Sequence, residues 1–306
     1  MRPVLIAHRG ASGYLPEHTL AAKRLAYEMG ADYLEQDVVA SRDDELIVLH
    51  DIHLDRVTDV AMRFPERARK DGRYYVRDFD LDELRDLRAW ERMDSDGNAV
   101  YPGRFPAQRG DFRLNTLIEE VEFVQKLNAE TGKEVGIYPE IKRPNWHRSQ
   151  GVDIAPRLLE ILADFGYDSH DGPVYVQCFD DAELRRLRDE FVCTFKLVQL
   201  IGNSNDDGQM LTPNGLKKLA KTVDAIGPSI LRCYELADSG RKPRSTDLVD
   251  KAHAEGLAVH PYTFRADEIP PGFATFDELV RFFVVEVGID GLFTDFPDQV
   301  LALTKS

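Results

Sequence analysis

The sequence predicts an α/β protein folded as a (β/α)8 TIM barrel, with a small insertion subdomain capping the C-terminal face. Three features carry that expectation. Apolar, β-branched runs alternate with amphipathic segments along the chain. The runs number eight, the count at which a parallel β/α sheet closes on itself. One long stretch interrupts the rhythm, as a lid or cap would. An open doubly wound sheet would show the same alternation, but the strand count fits the barrel.

In chain order the candidate strands are "VLIAH" (4–8), "DYLEQDVV" (32–39), "EVGIYPEI" (134–141), "PVYVQCF" (173–179), "FKLVQLI" (195–201), "DAIGPSI" (224–230), "LAVHPYTF" (257–264) and "GLFTDF" (291–296). Between them, helical spacing runs over 19–30, 116–128, 181–190, 245–256 and 275–288, and several of these segments close at a glycine, as helix C-termini do. The interrupting stretch, 53–113, holds a short helix at 80–90 whose Asp80 and Glu83 have capping-box spacing, and the turn-rich "YPGRFP". It reads as an insertion within one domain spanning 1–306. Its alternative is a solvated decoration that never meets the site.

At 306 residues, with 43% apolar and 30% charged side chains, the chain can bury a full core without crosslinks. Cys178, Cys193 and Cys233 are odd in number and far apart, the pattern of buried apolar thiols rather than a disulfide framework or zinc site. A formal charge of -15 argues against nucleic acid as a partner, and a small anionic substrate would need a concentrated positive pocket. No apolar run is long enough to span a membrane. Only Arg2 and Pro3 separate Met1 from the first strand, so as written the chain shows no signal peptide and is expected in the cytoplasm; cleavage of a leader would make it periplasmic.

In such a barrel the reactive groups project from the C-terminal ends of the strands. His8, the pair Glu35 and Asp37, the pair Glu140 and Lys142, and Gln177 with Phe179 all fall there. Alternation puts each i, i+2 pair on one face. Three carboxylates on one rim repel each other unless a cation lies between them, and an all-oxygen set suits Ca²⁺ or Mg²⁺ better than zinc. For any one carboxylate a salt bridge is the simpler reading. In "DVVASRDDELIVLHD" a two-residue turn at Asp43 and Asp44 would pair Val39 with Val48 and Asp37 with His50, bringing His50 to the acids; a three-residue loop would reverse that parity. Two histidines beside one metal can divide acid and base roles in ester cleavage. Arg9 and Lys142 supply the cations an anion requires, although Arg9 could simply pair with the carboxylates. "GASG" at 10–13 lacks phosphate-loop spacing and reads as a tight turn.

"HRG" at 8–10, "EQD" at 35–37, "HD" at 50–51, "PEIK" at 139–142, "QCF" at 177–179 and "GLFTDFP" at 291–297 together resemble the signature of the glycerophosphodiester phosphodiesterase family over nearly the whole chain. The insertion looks most like that of its periplasmic bacterial branch. The resemblance implies a β/α barrel that splits glycerophosphodiesters, such as glycerophosphocholine or glycerophosphoethanolamine, into glycerol 3-phosphate and an alcohol, by attack of water or of the glycerol 2-hydroxyl. It implies Glu35, Asp37 and Glu140 as ligands of one divalent cation, Ca²⁺ first and Mg²⁺ as the alternative, and His8 and His50 as the acid/base pair. Arg9 and Lys142 match phosphate-contacting positions. Glu17, in "PEHT" where the family often reads "PENT", and Phe179 complete the expected substrate set, and Asp51 would orient the hairpin. One strand departs from the family, reading "HPYTFR" where many relatives carry a tryptophan motif. Phe179, Trp146 and Phe264 are the candidates for the substrate wall, and rim packing would explain each equally well. A barrel glycoside hydrolase with Glu35 or Asp37 opposite Glu140 would need no metal and leave His8, Arg9 and Lys142 idle. A noncatalytic phosphate-ester binder would have no use for two histidines.

Overall fold

The computed structural model describes residues 2–237 and 242–304. Its strands and helices follow in the order β1 (Val4–Ala7), α1 (Leu20–Met29), β2 (Tyr33–Ala40), β3 (Leu46–Val48), α2 (Val60–Arg63), α3 (Leu81–Asp86), α4 (Leu117–Thr131), β4 (Gly136–Ile141), α5 (Pro144–Ser149) and α6 (Ile154–Asp164). They continue with β5 (Tyr175–Cys178), α7 (Asp181–Asp189), β6 (Lys196–Ile201), α8 (Asn205–Met210), α9 (Pro213–Leu219), β7 (Ala225–Pro228), β8 (Tyr234–Leu236), β9 (Pro243–Ser245), α10 (Leu248–Ala254), β10 (Ala258–Val259), α11 (Phe276–Arg281), β11 (Gly291–Thr294) and α12 (Pro297–Thr304). Eight parallel strands run in the order β10-β7-β6-β5-β4-β2-β1-β11. Beyond the short β10, Phe293 N–H donates to the Pro261 carbonyl at 3.0 Å and Phe264 N–H to the Phe293 carbonyl at 2.8 Å, which nearly closes the barrel. No helix among the described residues is long and apolar enough to cross a membrane.

Local chemistry sets the helix limits. Thr19 accepts from the Ala22 N–H to start α1, and Gly30 ends it at φ 91°, a left-handed conformation that glycine adopts without strain. Thr116 and Glu119 cap α4 reciprocally. In the insertion Glu83 reaches back to the Asp80 N–H at 3.0 Å, as the spacing predicts, although α3 stops at Asp86 rather than near residue 90. Two segments differ from their expected form. The 275–288 helix widens into a π-helix over Phe282–Val287, and the expected 245–256 helix begins only at Leu248, because Ser245 belongs to β9, paired with β8.

Two layers make up the main core. Outside the barrel, strand side chains such as Leu34 and Ile137 pack under the helices. Inside, Ile6, Tyr138, Val198 and Phe293 fill the lumen, with Tyr138 stacked on Tyr175 at 4.8 Å. A Cβ at Gly136 would lie 2.4 Å from the Tyr33 ring, so the large side chain on one strand is accommodated by the missing one on its neighbour. The lumen is therefore solid below, and chemistry is confined to the mouth. The 53–113 segment contributes Leu54, Val76, Phe79 and Leu84 to a second core, which it shares with Val39 and Ile47 of the β2–β3 hairpin.

That hairpin corrects the expected register. Val39 pairs with Ile47 and Val38 with Val48, and Leu49 N–H, not His50, bonds to the Asp37 carbonyl at 2.9 Å. The loop is three residues, Arg42 to Asp44, with Asp44 left-handed at φ 64° and Ser41 N–H closing on the Glu45 carbonyl. The hairpin is apolar on both faces, since Val38 and Val48 face the barrel helices while Val39 and Ile47 face the insertion. Alternation of polarity therefore carries no information about register here.

Candidate active site

The parallel register assembles the acids. Asp37 lies directly beside Glu140, and Glu140 beside Gln177, on adjacent strands. Glu35 sits two residues lower on the same face, where its Oε2 accepts the Arg9 N–H at 2.6 Å and Oε1 accepts Gln177 Nε2 at 3.4 Å. Arg9 makes that contact from a left-handed backbone at φ 58°, a conformation that costs a non-glycine residue on the order of 1 kcal/mol and tends to persist at functional sites. All three carboxylates are buried. Lys142 Nζ lies 2.8 Å from Glu140 and 3.4 Å from Asp37; Arg9 Nε lies 3.5 Å from Asp37, and its Nη1 donates to Glu17 at 3.0 Å. Thus Arg9 does pair with carboxylates, and it also lines the cleft.

The charges are unevenly matched. Burial, then the neighbouring Asp37, pushes Glu35 well above the usual carboxylate range, and the same two causes carry Glu140 to about 8. Burial disfavours the charge on Asp37 too, but Lys142 and His50 outweigh it and hold that carboxyl well below its ordinary value. Two of three packed acids are thus undercompensated by protein cations, and among the described residues Asp37 Oδ1 has no hydrogen-bond partner. This fits a bound cation, the ordinary remedy for clustered buried carboxylates. His18, Glu35 and Asp37 have ligand-type atoms all within 4.8 Å of one another, an acidic and histidine group that can hold a metal. Within that group His18 Nε2 lies 2.7 Å from Asp37 Oδ2, so a neutral ring donating there steadies Asp37 and has no lone pair left on that nitrogen for a metal.

The two expected histidines face the same cleft of about 450 Å³. His8 Nδ1 is 2.6 Å from Asp295 Oδ1, and His50 Nδ1 is 2.8 Å from Asp51 Oδ1. A carboxylate can only accept, so each ring carries its proton on Nδ1 and keeps an Nε2 lone pair. Burial, then Arg9, lowers both imidazoles to about 4, leaving them neutral near pH 7. His50 reaches the cleft despite the revised register because β3 ends at Val48 and the chain turns there.

Phe179, 45% exposed, lines this cleft, and Trp146 lines an adjoining lobe of about 700 Å³ that shares His50, Glu140, Lys142 and Phe179. Phe264 does not belong to the wall. It is fully buried against Phe283 at 4.9 Å, since the regular strand ends at Val259 and its alternation does not extend that far. Glu17 stands behind Arg9 rather than at the cleft surface. In "GASG" the Gly10, Ala11 and Gly13 N–H groups all bond to carbonyls, which leaves a tight turn. The three cysteines are buried free thiols.

Sequence reasoning missed His18, Asp295, Arg265 and Tyr262, the last two on the cleft wall. Asp295 follows the last residue of β11, so the rule of strand ends would have found it.

The model of the glycerophosphoryl diester phosphodiesterase family matches residues 8–299. The chain belongs to that family. It is 42% identical to a glycerophosphodiester phosphodiesterase of Haemophilus influenzae, over 99% of this chain and 90% of that protein, and 39% identical to one of Treponema pallidum, over 96% and 90%. Its fold matches a crystal structure of the Agrobacterium tumefaciens glycerophosphodiester phosphodiesterase with TM-score 0.65 at 19% identity, over 99% of this chain and all of that one. It likewise matches an Oleispira antarctica phosphodiesterase in complex with the product sn-glycerol-3-phosphate, with TM-score 0.66 at 21% identity, over 100% and 98%. The family and the close relatives make the chain an enzyme, a phosphoric diester hydrolase acting on glycerophosphodiesters.

Proposed function

We propose that the enzyme releases glycerol 3-phosphate and an alcohol from glycerophosphodiesters, glycerophosphocholine and glycerophosphoethanolamine among them, with one divalent cation, Ca²⁺ first and Mg²⁺ as the alternative. Glu35, Asp37 and Glu140 hold the cation, which when bound polarises the phosphoryl oxygens and offsets their charge. Arg9 and Lys142 bind the phosphate, a planar fork and a point charge on the same anion. Glu17 keeps the Arg9 guanidinium aimed at the cleft. His8 and His50 form the acid/base pair.

The observation that carries this reading is the matched state of the two rings: each donates its Nδ1–H to a carboxylate, keeps an Nε2 lone pair, and lines the cleft that Arg9 and Lys142 also line. One ring takes the proton of the attacking hydroxyl. A neighbouring phosphate anion raises the imidazole pKa, so the other ring can carry the proton that the departing alkoxide needs. The adjoining lobe, walled by Phe179 and Trp146 and opening beside His50, takes the leaving alcohol. Segment 53–113 acts as an insertion within a single domain spanning 1–306.

The test is incubation of metal-stripped, then metal-supplemented enzyme with a panel of glycerophosphodiesters and assay of glycerol 3-phosphate. Release from glycerophosphocholine that depends on added Ca²⁺ or Mg²⁺ supports the proposal. A rate indifferent to EDTA would remove the cation from it, and failure to cleave any member of the panel would remove the substrate class.

A further inference from the structure

Two partly buried arginines of the 53–113 segment pair with carboxylates at the barrel mouth and are not among the residues that line either lobe of the cleft. Arg92, 11% exposed in its side chain, donates from Nη1 to Asp51 Oδ2 at 2.6 Å, and from Nε and Nη2 to the two oxygens of Glu17 at 2.9 and 2.6 Å. Arg104, 4% exposed, donates from Nη2 to Asp295 Oδ2 at 2.7 Å. It is anchored elsewhere by Asp267 at 2.7 and 3.0 Å, by the Ser12 carbonyl at 3.2 Å and by the Tyr101 ring face at 3.7 Å. In each case the arginine holds one oxygen of a carboxylate whose other oxygen holds a histidine Nδ1: Arg92–Asp51–His50 and Arg104–Asp295–His8.

We propose that Arg92 and Arg104 are positioning residues through which docking of the insertion onto the barrel rim sets the orientation of both histidines. A carboxylate bridging a guanidinium fork and an imidazole N–H has both oxygens fixed, and the ring rotates only if that bridge breaks. The bridges are unequal. Asp295 Oδ2 also accepts Arg265 Nε at 2.8 Å, whereas the only side chains bonded to Asp51, among the described residues, are His50 and Arg92. Arg92 in addition orders Glu17, the partner of Arg9. Loss of Arg92 therefore disturbs the site more than loss of Arg104, and reaches phosphate binding as well as proton transfer.

This rests on the acid/base reading above, and the test separates the two. Steady-state kinetics on glycerophosphocholine with saturating Ca²⁺ should show kcat down about tenfold to a hundredfold in Arg92→Ala with KM raised, and down by a smaller factor in Arg104→Ala with KM nearly unchanged, the scale on which outer-sphere partners act. Guanidinium ion should restore part of each loss. Arg67→Ala, which breaks the pair with Glu83 inside the insertion, should retain kcat. Should an alanine variant fail to fold, Arg92→Lys and Arg104→Lys serve instead, since lysine keeps the charge but cannot fork between two carboxylates. Wild-type kcat in both lysine variants, or an equal loss in Arg67→Ala, would overturn the proposal. Nitrogen-15 spectra of the Nδ1–H groups, assigned with His8→Gln and His50→Gln, read positioning without turnover. They should lose the His50 signal in the Arg92 variants and weaken the His8 signal in the Arg104 variants. Unchanged signals would refute the bridges even in an active enzyme, and an inactive wild type that shows the expected changes would refute only the acid/base reading.

Discussion

The two histidines share a cleft but are held by unlike surroundings. His8 follows the last residue of β1, is 12% exposed in its side chain, and leans on an Asp295 that is 2% exposed and gripped by Arg104 and Arg265. His50 stands past the end of a hairpin, 30% exposed, and its Asp51 is 25% exposed. The first ring is held through Asp295 by Arg265 and by Arg104 of the 53–113 segment, the second through Asp51 by Arg92 of that segment. His50 thus rests on a more exposed carboxylate and one arginine, and His8 on a buried carboxylate and two.

The sharpest way to break this comparison is to delete each ring. His8→Ala and His50→Ala should each lower kcat by roughly 100-fold to 10,000-fold, the usual span for an acid or base, with the cation still bound by calorimetry. Wild-type rates in either would end the pairing of roles. Next come the carboxylates. Asp295→Asn leaves two arginines facing a neutral amide, and should cost about 3 kcal/mol of unfolding free energy as well as activity. Asp51→Asn, at the wetter end, should cost activity with less than about 1 kcal/mol of stability. Urea titration that found the two equal would show that exposure does not distinguish them.

An effect on stability alone belongs to Glu91, a buried residue of the 53–113 segment. Burial first, then Glu17, raises its carboxyl to about 7, and its Oε2 lacks a partner among the described residues. A carboxyl with a raised folded-state pKa favours folding below its unfolded value near 4.5 and loses that contribution as pH rises through 7. Glu91→Gln should therefore raise the melting temperature at pH 8.5, by the equivalent of up to about 3 kcal/mol, and the gain should vanish near pH 4.5. A gain independent of pH, measured by calorimetry, would contradict the assignment.

The barrel end was the more legible of the two in the sequence. Alternating runs gave the order of strands, and charged residues closing apolar runs marked His8, Glu35, Asp37, Glu140 and Lys142, because covalent spacing and strand ends determine their placement. The insertion end was not. His50 was found through a register that proved wrong, since a hairpin buried on both faces has no polar side to reveal its pairing. Arg92 and Arg104 sit among the other arginines of the insertion, such as Arg67, Arg69 and Arg88, and only the folded partners distinguish them. His18 escaped notice because it stands in a turn rather than at a strand end. Phe264 proved to be core rather than wall, and nothing in residue type separates a buried aromatic from one that lines a cleft.

The central claim is that three buried acids at this mouth serve a cation that the reaction requires. It is tested most directly by following glycerol 3-phosphate release from glycerophosphocholine before EDTA, after EDTA, and after return of Ca²⁺, in the wild type and in Glu140→Ala. Release should stop with EDTA, return with Ca²⁺ in the wild type, and return in Glu140→Ala only at far higher Ca²⁺ or not at all. Full-rate hydrolysis in EDTA, or identical Ca²⁺ dependence in the two proteins, would contradict it.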